Sequence, residues 1–216
     1  MYARVTTTRV QPGKLAGALA IWQEAVLPAA RRQPGFRGVL VLADRHTHRS
    51  VALTLWATEA DLRASAASGY VSDALAKFTG VFAGPPAQRA YAVAFHTPTL
   101  LTRGGASRYA AVATIPLQPG PGRADEALDL WRRGALAQAA QVPGFHDLLL
   151  LLDREEDALL SLGLYATFSA VQAVETSGRF QQVTALLTDL YAGQPTREVY
   201  EVLLEATGAP EAPASG

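Results

Sequence analysis

The sequence predicts an α+β protein made of two βαββαβ units in tandem. Three observations carry that prediction. One segment occurs twice along the 216-residue chain. Within each copy, strand-like and helix-like periodicities follow in the order strand, helix, strand, strand, helix, strand. The second strand of each copy, Val39 to Leu42 and Leu148 to Leu152, is apolar at every position. A sheet with one wet face alternates polar and apolar residues, so these strands are covered on both faces.

The repeat holds one register. Tyr2-Ala3 to Gln11-Pro12-Gly13 returns as Tyr109-Ala110 to Gln118-Pro119-Gly120. After a two-residue insertion, Trp22 matches Trp131, Pro34-Gly35-Phe36 matches Pro143-Gly144-Phe145, and Asp44-Arg45 matches Asp153-Arg154. Ala57-Thr58, Ser68-Gly69 and Ala83-Gly84 match Ala166-Thr167, Ser177-Gly178 and Ala192-Gly193. Each copy has the size of a small domain. The expected boundaries are 1–96 for the first unit, 97–108 for a linker with Pro98, Gly104, Gly105 and Ser107, 109–206 for the second unit, and 207–216 for a disordered tail.

Each element has its own reason. Tyr2 to Val10 is rich in Val and Thr, which favour a strand. Pro12-Gly13 turns the chain. From Lys14, Leu15, Leu19, Trp22 and Val26 recur at helical spacing and form one apolar stripe, with Leu128, Trp131 and Ala135 as the second copy's version. Pro28 late in the first helix and Gly134 late in the second predict a bend in each. Pro34-Gly35 stops the helix. Val39 to Asp44 and Val51 to Ala57 read as strands. Thr58-Glu59-Ala60-Asp61 fits a capping box that starts a helix, and Ser68-Gly69 interrupts it. A short helix follows with Val71, Leu75 and Phe78 on one side. Gly84-Pro85-Pro86 ends it, and Arg89 to Phe95 is a fourth strand with Tyr91, Val93 and Phe95 on one face. The order is that of the ferredoxin-like unit, an antiparallel sheet with helices on one face. The other face of each sheet is expected to be covered by the sheet of the other copy, giving a pseudo-twofold α+β barrel, an intramolecular pseudo-dimer.

Composition restricts function. Apolar residues make up 49% of the chain and charged residues 18%, enough to bury a core. Nineteen basic residues balance nineteen acidic ones, which argues against a nucleic-acid partner. There is no cysteine, so thiolate nucleophiles, disulfides and Cys-ligated metals are excluded. The apolar run Leu148 to Leu152 is far shorter than the roughly 20 residues of a membrane span, and no signal-peptide pattern opens the chain. A cytoplasmic protein without membrane association is expected. No Walker loop, dinucleotide-binding turn or nucleophile elbow occurs.

The Gln-Pro-Gly turn before helix one, the Pro-Gly-Phe after it, and a third strand ending in Trp56-Ala57-Thr58-Glu59-Ala60 resemble the antibiotic-biosynthesis-monooxygenase superfamily of dimeric α+β barrels. The resemblance spans both copies. It implies a pocket between sheet and helices, and chemistry ranging from cofactor-independent oxygenation of polycyclic phenols to haem degradation. Haem-degrading relatives carry a Trp and a His on the helices after strand three. Those positions fall on Ser65 and on Leu75 or Ala76, and on Val174 and Thr184 or Ala185 in copy two. Neither copy supplies the imidazole, and the His that quinol-handling relatives place at Ser65 is absent too.

The histidines do not assemble a site. His46 and His48 flank Thr47 in a turn where copy two has Glu155 and Asp157, with no third metal ligand evident. His96 and His146 lack partners in sequence. No metal, no cofactor and no catalytic residue is therefore assigned. The residues picked to bind a small hydrophobic aromatic ligand are Trp22, Trp56, Tyr70 and Arg89. The indoles offer broad faces to a flat molecule, and the Tyr70 phenol can hydrogen-bond a hydroxyl or carbonyl. Arg4, Thr6, Thr7 and Thr8 make the first strand of copy one unusually polar against Ala111, Ala113, Thr114 and Ile115 of copy two. Copy one is thus expected to keep a polar pocket, and copy two to serve as its structural partner. Three readings remain open: a cofactor-independent monooxygenase acting on a phenolic compound, a non-catalytic binding or stress-related module of the same fold, and a structural remnant with filled cavities. Further homo-oligomerisation is left open.

Overall fold

The computed structural model describes residues 1–100, 107–139 and 141–208. Residues 101–106, the middle of the expected linker, and 209–216, nearly all of the expected tail, lie outside the described residues. Eight antiparallel strands follow the order β1-β3-β2-β8-β5-β7-β6-β4 in a closed barrel. The chain is α+β, with two ferredoxin-like repeats in tandem.

Among the described residues, the first compact unit comprises 1–90 and 203–208. Strand β1 (Tyr2–Arg9) pairs with β3 (Arg49–Trp56), and β3 pairs with β2 (Phe36–Ala43). Between β1 and β2 run α1 (Leu15–Ile21), a π-helical turn (Trp22–Val26) and α2 (Leu27–Arg31). After β3 come α3 (Glu59–Ala67) and α4 (Tyr70–Ala76). The second unit comprises residues 91–202. There β5 (Tyr109–Pro116) pairs with β7 (Ala158–Tyr165), and β7 pairs with β6 (Phe145–Asp153). Its helices are α5 (Arg123–Ala139), α6 (Phe168–Thr176) and α7 (Arg179–Ala185), followed by a 3₁₀ turn (Thr188–Leu190).

The compact units are not simply the repeats, because each repeat's fourth strand crosses over. Strand β4 (Ala87–His96) pairs through Ala92 to His96 with β6. Strand β8 (Thr196–Thr207) runs along β5 through Thr196 to Glu201. The end of β8 returns to the first unit, where Gly208 N–H donates to the Arg37 carbonyl at 2.7 Å.

Val39 to Leu42 and Leu148 to Leu152 are buried at every position, as their unbroken apolar runs require. In the first unit, Val39, Val41, Ala52 and Trp56 form one cluster with Leu27, Ala30, Phe36 and Leu62. The alternate set, Leu40, Leu42, Leu53 and Leu55, is fully buried.

One sequence expectation needs correction. A β-bulge in β4 pairs Val93 with Leu151 but Phe95 with Leu150. Adjacent residues of β6 point to opposite faces, so Phe95 leaves the face of Val93 and packs against the cluster of Leu148, Leu150 and Leu152. The α5 helix runs on through Gly134, whereas the first helix changes its geometry before Pro28. Glycine keeps its N–H and costs a helix interior only about 1 kcal/mol. Proline has no N–H, and its ring collides with the carbonyl four residues back. For Pro28 that carbonyl is Glu24's, inside the π turn. The helix there widens by one residue, so that the Leu27 N–H reaches the Trp22 carbonyl.

Candidate functional site

The register of β1 and β3 builds one wall of a cavity in the first unit. Arg4 lies opposite Thr54, Thr6 opposite Ala52, and Thr8 opposite Ser50. Paired residues share a face, and all six line an internal space of about 50 Å³. The facing wall comes from the first helix through Leu15, Leu19, Trp22 and Val26, and from α4 and the turn beyond it through Tyr70, Val71, Leu75 and Phe78, with Phe82 and Gln88 completing it. The π turn carries Trp22 and Val26 into this wall, and such turns recur at functional sites. The wall is aromatic. Trp22 lies 6.0 Å from Phe78, and Phe78 stacks on Phe82 at 4.6 Å with the rings 6° from parallel.

At one end of the polar wall, Arg4 is only 7% exposed. Its guanidinium donates to the Leu62 carbonyl at 2.7 Å and to Ser65 Oγ at 3.0 Å. Ser65 in turn donates to the same carbonyl at 2.7 Å. The guanidinium carbon sits 5.5 Å from the centre of the Trp56 ring, in cation–π range. Among the described residues no carboxylate pairs with Arg4, and burial pulls its pKa below the usual arginine value. Burial also pushes the Tyr70 phenol up to about 12, against the opposing pull of the Arg4 charge. Tyr70 is therefore a neutral donor at physiological pH, next to a cation.

Trp56 is fully buried behind this end of the cavity. Its indole N–H donates to Thr54 Oγ1 at 3.1 Å, and its ring meets Phe36 and Tyr70 edge-on at 5.6 and 6.4 Å. Of the four sequence candidates, Trp22 and Tyr70 line the cavity and Trp56 supports Arg4 and Tyr70 from behind. Arg89 is exposed on β4 and is not among the lining residues. The residue missed as a candidate is Arg4. Its signal was present: Arg4, Thr6 and Thr8 put polar groups on one face of a strand whose counterpart is apolar. One strand and two helices supply its partners, Trp56, Leu62, Ser65 and Tyr70, and no local motif reports them.

The second unit fills the matching positions differently. Ala111 stands for Arg4 and Val174 for Ser65, and both join an apolar cluster with Val171, Ala170 and Tyr165. The cation that enters there, Arg197, ion-pairs with Glu175. His46 and His48 are exposed in a tight turn, where His48 adopts a positive φ of 57°. Among the described residues, no group of three or more His, Cys, Asp or Glu is placed to hold a metal ion. Among them, too, no helix is long and apolar enough to cross a membrane.

The chain is an α+β barrel of ferredoxin-like repeats, with a part-aromatic cavity between sheet and helices in its first unit. Residues 1–77 match the family model of the antibiotic biosynthesis monooxygenases. An uncharacterised protein of Mycobacterium tuberculosis is 25% identical over 186 residues, which cover 86% of this chain and 80% of that protein. A second one from the same organism is 29% identical over 154 residues, 71% of this chain and 62% of that protein. The fold is shared with a candidate monooxygenase from Fusobacterium nucleatum, at a TM-score of 0.73 and 13% identity over 95% of this chain and 94% of that one. It is also shared with an anthrone oxidase-like protein, at 0.69 and 18% identity over 100% and 96%.

Proposed function

We propose that the first unit binds a flat phenolic small molecule in its cavity and promotes its oxygenation without a cofactor. The observation that carries this reading is the pairing of an aromatic wall, Trp22, Phe78 and Phe82, with a polar strip, Arg4, Thr6 and Thr8, in a unit whose residues 1–77 match a monooxygenase family model. The likeness of fold to an anthrone oxidase-like protein supports the same substrate class. At about 50 Å³ the cavity holds only a few waters. A ligand therefore enters by displacing α4, which buries no residue completely and begins after Gly69 at a φ of 84°. Loops and short elements of this kind gate many active sites.

The chemistry belongs to the substrate. An anthrone-type compound loses a proton to give an anion, and the anion transfers electrons to O₂. Two C–H bonds at one carbon break and a carbonyl forms there. One oxygen atom enters that carbonyl, and the other leaves with both hydrogens as water. The protein supplies a dry pocket and polar groups that favour the anion. Oxygen uptake with anthrone and related tricyclic phenols tests this. One O₂ consumed per anthrone, at a rate above buffer, is expected. No rate above buffer across the panel would overturn the oxygenase reading.

One observation favours a second reading, binding without conversion. The residues lining the cavity include no carboxylate, imidazole or lysine to act as a base. A phenol that raises the melting temperature and is recovered unchanged would support it.

A further inference from the structure

We infer that Arg4 is the specificity residue of this pocket, holding an ionised oxygen carried by the aromatic ring of the ligand. The inference rests on the cavity being a ligand site. It adds the charge of the ligand and the residue that reads it.

The reasoning starts from the cost of burial. A buried guanidinium is stable when it is paired and fully hydrogen-bonded. Arg4 is 7% exposed, yet the described residues give it a carbonyl, a hydroxyl and an aromatic face, and no carboxylate. These partners orient the guanidinium and leave its positive charge unneutralised. Arg4 lines the cavity, so an anion placed there would meet its charge without rearrangement of the sheet. Tyr70 lines the same space and feels the charge of Arg4. As a neutral phenol it can donate a second hydrogen bond to the same anion. The polar wall otherwise offers Thr and Ser hydroxyls, which do not oppose an anion.

The second unit supplies the internal comparison. Its half-buried cation, Arg197, has Glu175 beside it, and its counterpart of Arg4 is Ala111, inside an apolar cluster. The fold therefore does not require a cation at this strand position. The first unit keeps one there, at the border of its cavity, and among the described residues no carboxylate pairs with it.

Calorimetric titration of the full chain with 2-naphthoate and with 2-naphthylmethanol tests the inference. The two share a ring system and differ in charge. Charge-assisted hydrogen bonds lead us to expect naphthoate to bind roughly tenfold or more tighter. Arg4→Met should remove that preference while leaving naphthylmethanol within about threefold, and Arg4→Lys should retain part of it. A third probe, 2-naphthol, should show the absorption of its anion when bound to the wild type near neutral pH, because a neighbouring cation favours the ionised form. Equal affinity of the wild type for naphthoate and naphthylmethanol would overturn the role of Arg4 while leaving the pocket standing. If neither probe binds, the pocket reading fails with it. Arg4→Met should melt no lower than the wild type, since it removes an uncompensated buried charge. A large drop would show that the bonds from Arg4 to α3 are structural and would also overturn the inference. Should that variant not fold, the Arg4→Lys titration decides alone, with complete loss of the naphthoate preference as the overturning result.

Discussion

Tyr70 shows how one residue reports on its site. Its phenol is pushed up to about 12 by burial, with Arg4 pulling the other way, whereas a tyrosine in the unfolded chain ionises near 10. Between those values the unfolded state gives up a proton that the folded state keeps. Stability is therefore fully present below pH 10 and falls as pH rises through 10 to 12. Tyr70→Phe should flatten the part of that loss due to this group, seen as a smaller drop in melting temperature across the window. A tyrosinate absorbance titration of the folded protein should show one fewer late-ionising tyrosine in the variant. A wild-type titration in which Tyr70 ionises near 10 would place it in open solvent. The same residue shows what the sequence could not convey. Tyr70 after Ser68-Gly69 was visible as a candidate, but its nearness to Arg4, 66 positions away in the chain, is a product of tertiary packing.

At the scale of elements, the junction between α2, β2 and α3 was largely legible. The Thr58 hydroxyl accepts from the Asp61 N–H at 3.1 Å, and Asp61 accepts back from the Thr58 N–H at 3.1 Å, so the capping box is complete. Gly35 stops the preceding helix at a φ of 72°, and a Cβ built there would lie 2.3 Å from the Asp61 carboxyl. Gly35→Ala must therefore strain the backbone and expel the carboxylate that completes the cap. A loss of roughly 2–3 kcal/mol is expected in denaturant unfolding, combining about 1 kcal/mol each from the cap and the φ penalty with the steric clash. Gly69→Ala, with a similar φ of 84° but open space around its Cβ position, should lose only the strain term, and the difference between the two isolates the clash together with the lost cap. The π turn was less legible. Pro28 announced a distortion, but a proline alone does not say whether a helix kinks, ends or widens. The outcome depends on how the Trp22 side packs against Phe78. The β4 bulge was invisible for the same reason: Tyr91, Val93 and Phe95 alternate in sequence, and only the pairing with β6 reveals the extra residue.

At the scale of the whole chain, duplication has let one position take opposite chemistries. Arg4 and Ala111 occupy the same place in the repeat. The first faces a cavity with Ser65 as a partner. The second is 2% exposed within a cluster of Val142, Val171 and Val174, with an alanine at 170. The architecture was readable because the repeat, the apolar strands and the turn residues all agree. The site was readable only as an asymmetry between copies, since function there rests on what lies across the space from each side chain. That asymmetry makes a reciprocal prediction about tolerance. Arg4→Met should leave the melting temperature unchanged or raised. Ala111→Arg should destabilise severely, because the apolar cluster offers neither room nor a counter-charge, and an unpaired buried cation costs several kcal/mol. An expected loss of about 3–5 kcal/mol, or failure to fold, would be read by thermal and denaturant unfolding of the full chain. Adding Val174→Ser to Ala111→Arg, which rebuilds the hydroxyl that Ser65 offers Arg4, should recover part of the loss. If Ala111→Arg were tolerated as well as the native arginine of the first repeat, the two units would be chemically equivalent at this position, and the first would have no special claim to the site.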